Sequence, residues 1–199
     1  MIDPTPDQVQ TFWKYMLARF DAKVVDKRNS FEMQALAALL GKLGVMAPTK
    51  FLQHYATTIG RRIYVPFDIG VATADWGLWG QMMVCAHECQ HIHQLDWLGP
   101  LRFGWKYLGS SATRAVLEAE AYRCQLELQH WRTGEIIPAE KLTAGLKGYG
   151  CNDADIQVAT RIIREASESV RRGAITNAAS HVAIEYLNDY AHELRAVPG

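Results

Sequence analysis

The chain has 199 residues, 49% of them hydrophobic, and balances 21 Lys and Arg against 21 Asp and Glu. That length supports one good core or at most two small ones. The charge balance argues against nucleic acid or an acidic membrane surface as the main partner, and the apolar run Ala35 to Leu40 is far too short for a span of ~20 residues.

Met1 to Pro6 reads as a short loop rather than a cationic, apolar leader, so a cytoplasmic protein is expected. A helix is expected from Asp7 to Phe20, where Val9, Phe12, Trp13, Met16, Leu17 and Phe20 fall at helical spacing. A second helix runs from Ser30, a capping serine, to Leu43, with Gly41 and Gly44 at its end. Pro48-Thr49 opens a third, expected to continue through Ile59 and stop at Gly60. Arg61 to Phe67 is the clearest strand, being β-branched and aromatic, and Pro66 pushes it to a sheet edge. Asp68 to Trp79 is glycine-spaced and reads as a loop bordering a cleft. Gln81 to Leu98 contains neither Gly nor Pro and is punctuated by Gly80 and Gly99-Pro100, so it reads as one helix. A short aromatic helix (Leu101 to Leu108) precedes a longer one with Leu117, Ala121, Cys124, Leu128 and Trp131 as its apolar stripe. Beyond Gly134 and Pro138 come a short helix (Ala139 to Lys147), then Asn152 to Arg171, capped by Asn152 or Asp153, and finally Ile175 to Leu194.

The long helix holds the most informative residues in the chain. His87-Glu88-Cys89-Gln90-His91 is His-Glu-x-x-His. At about 100° per residue the two histidines lie about 40° apart on one face, spaced to grip one metal ion, and Glu88 stands beside the first of them as a general base. Cys85 and Cys89 fall on the opposite side and are not ligands of the same ion. The four cysteines are expected to be free thiols acting as small apolar residues, as in a reducing compartment.

A catalytic zinc takes three protein ligands and leaves a position open for water. Glu118 and Glu120, on the next long helix, are the candidate third ligands. They point about 200° apart, so only one can ligate. The centre of the apolar stripe lies nearer Glu120, about 60° away, than Glu118, about 100° away.

Over roughly Ile63 to Gln129 the sequence resembles the gluzincin metallopeptidases, in which His-Glu-x-x-His is followed by a helix carrying Glu-x-x-Ala, here Glu118 to Ala121. The resemblance implies a zincin-like core, Zn²⁺ held by His87, His91 and Glu118, and Glu88 as the general base of peptide-bond hydrolysis. It also implies an edge strand holding substrate in extended form, a use it gives to Arg61 to Phe67. Two positions depart from the family. Tyr122 stands where an Asp often accepts a hydrogen bond from a ligand histidine, a bond a phenol oxygen could also accept. His93 stands where an apolar residue is usual. Tyr107, Tyr149, His181, Tyr186 and His192 are candidates to steady the oxyanion.

One α+β domain, predominantly helical, is therefore expected over 1–199, with a helical part (1–60), a metal-binding core (61–133) and closing helices (134–199), the first and last forming two walls of a cleft. Specificity is expected from the loops 68–79 and 107–111, with Trp76, Trp79, Trp97, Phe103 and Trp105 as pocket aromatics. The partner implied is a peptide or protein substrate. Two alternatives stand beside this reading. One is a metal-stabilised module that cleaves nothing. The other is a di-iron helical protein using Glu88-x-x-His91 and Glu127-x-x-His130, which leaves His87 without a task.

Overall fold

The computed structural model describes residues 2–42 and 48–196. Its elements are α1 (Pro6–Arg19), β1 (Lys23–Asp26), α2 (Phe31–Lys42), α3 (Pro48–His54), β2 (Thr57–Ile59), β3 (Arg62–Val65), α4 (Leu78–Leu98), α5 (Pro100–Gly109), α6 (Ser111–Thr133), α7 (Ala139–Thr143), α8 (Asp153–Arg171) and α9 (Ala178–Tyr190). Short 3-10 turns occupy 144–149 and 192–194. The architecture is α+β and predominantly helical, with one small sheet. Among the described residues no helix is long and apolar enough to cross a membrane.

Helix starts follow their local chemistry. Thr5 and Gln8 form a reciprocal capping box on α1, Asn152 and Asp155 form one on α8, and the Ser30 hydroxyl accepts from the Met33 N–H at the start of α2. The expected end of the second helix at Leu43-Gly44 lies outside the described residues.

The first correction is at the sheet. The third helix stops at His54, and Thr57–Ile59, assigned to it from sequence, is β2. These three β-branched residues gain more from pleated pairing than from a helical turn. Gly60, at φ 60°, opens the two-residue turn that folds β2 antiparallel onto β3, pairing Ile59 with Arg62. The second correction concerns β3, which is central. The order is β1-β3-β2, with β1 parallel to β3. Pro66 lies one residue past the paired stretch and removes no ladder bond. The strand Lys23–Asp26 is not among the expected elements, and among the described residues the unpaired edge beside α4 belongs to β2.

The largest core joins both ends of the chain. Val9, Phe12, Trp13 and Met16 of α1 pack with Met82, Cys85, Cys89 and Ile92 of α4, Cys124 and Leu128 of α6, and Ala183, Ile184 and Leu187 of α9. The N-terminal helix α1 and the C-terminal helix α9 thus pack into one core. A second core (Ala115, Ala119, Leu126, Leu146, Ala159, Ile163) joins α6 to α8 and the turn 144–149, and a third seats α2 and α3 on Tyr64. All four cysteines are buried and free.

Candidate metal centre

Helix α4 carries His87 and His91 one turn apart, and α6, returning after α5, brings Glu118 over them. Gly99, at φ 77°, lets the chain leave α4 and enter α5 at Pro100 without a linker. The three side chains are almost fully enclosed, with His87 and His91 5% exposed and Glu118 1% exposed.

Their ligand atoms form a compact triangle. His87 Nε2 and His91 Nε2 are 3.2 Å apart, and each lies 3.4 Å from a Glu118 oxygen. Atoms held about 2.0–2.2 Å from one ion at tetrahedral angles stand about 3.3–3.5 Å from each other. The triangle has the size a single metal ion needs. It is the one such group of three or more His, Cys, Asp or Glu among the described residues.

The hydrogen bonding points the same way. His91 Nδ1 faces Gln94 Oε1 at 2.9 Å, and the Gln94 amide donates to the Leu117 carbonyl at 2.9 Å, which fixes the oxygen end toward the imidazole. His91 therefore donates from Nδ1 and presents Nε2 to the centre of the triangle. Glu118 Oε2 is buried and faces His87 Nε2 at 3.4 Å without a hydrogen bond among the described residues, an expensive arrangement unless an electrophile occupies the centre.

The charges of the group are strongly coupled. Burial pulls the His91 pKa down, but the Glu118 carboxylate outweighs it and raises the value to about 9. Burial pushes Glu118 the other way, yet His91 and His87 hold it well below the usual carboxylate range. Tyr107 donates to Glu118 Oε1, and the phenols of Tyr107, Tyr122 and Tyr149 are pushed well above their ordinary value by burial and by that carboxylate.

Glu88 shares a cavity of about 50 Å³ with His91, Glu118, Thr57, Thr58, Phe103, Tyr107 and Tyr149. The Thr58 hydroxyl on β2 donates to Glu88 Oε2 at 2.7 Å, aiming the carboxylate. Behind β2 lies Lys27, fully buried, with its ammonium donating to the Tyr55 carbonyl at 2.9 Å and the Thr57 hydroxyl at 2.7 Å, over the Phe51 ring. Burial lowers its pKa to about 7, a drop the Glu88 charge partly opposes.

Of the residues named from sequence, His87, Glu88, His91 and Glu118 come together. Glu120 does not: it is exposed and accepts from the Gln90 amide at 2.9 Å. Its position near the stripe centre misled because α6 is enclosed by α4, α5, α8 and α9, so that stripe spans more than one buried face. Tyr122 lays its ring on His87, centroids 4.8 Å apart, while His87 Nδ1 has no hydrogen-bond partner among the described residues, so the phenol does not accept from that nitrogen.

Tyr107 and Tyr149 line the cavity; His181 and His192 are exposed, and Tyr186 packs on Phe12 in the core. The loop 68–79 lies away from the cavity: Gln81 of α4 pins it through Gly70 N–H, Val71 O and Trp76 O. Of the five proposed pocket aromatics, Phe103 alone lines the cavity. Glu127 is held by Arg123 and the Thr176 N–H, away from the triangle, so the paired Glu-x-x-His arrangement is not assembled. His93 is exposed.

Gln94, Thr58 and Lys27 were missed. Gln94 had a signal, standing three residues after His91 and so on its face of α4; the other two depend on strands the sequence had not revealed. Comparison with protein-family models, with curated proteins and with solved structures yields no match to this chain.

Proposed function

We propose that this chain is a zinc-dependent hydrolase, a metallopeptidase of the gluzincin type built on a zincin-like core. The observation that carries the reading is the buried triangle of His87 Nε2, His91 Nε2 and Glu118, with the Glu88 carboxylate in the same cavity. Three ligands of this kind suit Zn²⁺, and bound there it supplies a Lewis acid that polarises a carbonyl and acidifies a coordinated water.

The residues of the chain do the rest. Glu88, steadied by Thr58, takes a proton from the attacking water and returns it to the leaving amine. Gln94 keeps His91 in the ligating tautomer, and Tyr107 satisfies one oxygen of Glu118. Among the described residues β2 pairs with β3 alone, so its outer edge, next to Glu88, offers backbone groups to an extended peptide.

A second reading, a metal-stabilised module that cleaves nothing, is favoured by one observation: a cavity of about 50 Å³ admits a water and no peptide. Hydrolysis therefore requires α5 or the turn 144–149 to move. One experiment separates the two readings. Wild type and Glu88→Gln, both zinc-loaded, are incubated with a mixed peptide library and the products read by mass spectrometry. The peptidase reading expects cleavage by wild type and a loss of about 10²–10⁴-fold in Glu88→Gln with zinc retained. Zinc binding without cleavage by wild type selects the second reading, and equal cleavage by both proteins removes Glu88 from the chemistry.

A further inference from the structure

Helix α5 has two faces with opposite surroundings. Phe103 and Tyr107 turn inward and line the metal-site cavity, their rings stacked 5.6 Å apart. Leu101, Trp105 and Leu108 lie within about 60° of one another on the other side, and they are 90%, 80% and 79% exposed. Trp97, 79% exposed at the end of α4, adds a second tryptophan just before the turn. None of the ten residues of α5 is buried. Apolar residues exposed in a stripe of this kind mark an interaction surface.

The charge around the stripe identifies what covers it. From Trp97 to Leu117 the sequence contains Arg102, Lys106 and Arg114 and no acidic residue, and Asp96, just before this segment, is paired with Arg61. The balance of the whole chain, which argued against acidic surfaces, averages this segment away. Arg114 is spent on internal carbonyls at Tyr107, Leu108 and Tyr149. Arg102 and Lys106 flank the stripe about 100–140° round the helix from Leu101. A tryptophan and two leucines on one side of α5, with two cations beside them and no acid within the helix, are the composition of a helix that lies in a lipid interface.

We infer that the Leu101–Trp105–Leu108 face of α5 docks on an anionic lipid bilayer. Docked this way, α5 lies between the membrane surface and the metal cavity, because the inner face of the same helix is one of the cavity's walls. The docking itself rests on the exposed face and its charge, and stands whether or not the metal site is catalytic.

The test is co-sedimentation with vesicles of phosphatidylcholine containing 30 mol% phosphatidylglycerol, against vesicles of phosphatidylcholine alone, with the tryptophan emission recorded. The expected result is partition onto the anionic vesicles with a blue shift. Partition onto the neutral vesicles is expected to be about 25-fold weaker, about fivefold for each of the two cations. A Leu101→Ser/Trp105→Ser/Leu108→Ser variant, shown folded by its melting curve, is expected to lose the partition, and Arg102→Glu/Lys106→Glu to lose the preference for anionic lipid. Chelator-treated wild type is expected to bind as before, which separates this result from the metal reading. The inference is overturned by absence of binding to anionic vesicles, by unchanged binding of the triple variant, or by a dimer in light scattering that the triple variant converts to monomer.

Discussion

Across the single residue Gly99, α4 ends and α5 begins, and the two helices depart from the usual burial pattern in opposite senses. α4 buries Gln81, His87, Glu88, Gln90, His91 and Gln94, whereas α5 turns Phe103 and Tyr107 inward and exposes Leu101, Trp105 and Leu108. A buried polar group costs free energy unless it is partnered, and the partners sort the α4 set into two kinds. Gln81 and Gln90 are satisfied structurally, Gln81 by the 70–76 loop and Gln90 by Glu120 and the Ala179 N–H. The His87–His91–Glu118 group is left with an unpartnered carboxylate oxygen. Chemistry is concentrated where polar groups face inward without completing one another, and recognition where apolar groups face outward without covering one another.

The sharpest test of the polar interior is Lys27, which extends it behind β2. Its pKa falls from 10.5 to about 7 in the folded chain, so between those values the unfolded chain holds the extra proton and stability rises with pH. The penalty is fully present below pH 7. Relative to Lys27→Met, wild type is expected to gain about 3–4 kcal/mol from pH 7 to pH 10, read from denaturant unfolding of both proteins. A constant difference would show that Lys27 is not charged at a cost.

The apolar side of α4 provides the next effect. Met82→Ala, at a fully buried position of the largest core, is expected to cost about 2–5 kcal/mol, and Trp105→Ser on α5 no more than about 0.5 kcal/mol. Equal losses would mean that the α5 stripe is covered in solution. The contribution of Gln94 is read in metal affinity and not in stability. Gln94→Leu is expected to leave the fold intact and weaken zinc binding about 10- to 100-fold, measured by competition with a chelator dye; an unchanged affinity would show that His91 needs no orienting partner.

The sequence made the long helices legible because their spacing and caps are local signals: Ser30 and Asn152 cap as their chemistry dictates, while the Thr5 cap of α1 was not read. His87, Glu88 and His91 were legible for the same reason, since one helix turn sets their relation. The sheet was not. β1 and β2 are four and three residues long, and their pairing with β3 is decided by contacts distant in sequence. Thr58 and Lys27 were lost with those strands. The choice between Glu118 and Glu120 was open to geometry because stripe position assumes one buried face, and α6 has several. The polar interior of α4 also explains why that helix has no clear amphipathic pattern despite its 21 residues.

The central claim is that His87, His91 and Glu118 together hold one zinc ion. The most direct measurement is elemental analysis of protein purified without added metal, comparing wild type with Glu118→Ala and Glu120→Ala. The account predicts one zinc per chain in wild type and in Glu120→Ala, and none in Glu118→Ala. Zinc kept by Glu118→Ala, or wild type that binds no zinc when it is supplied, would contradict it.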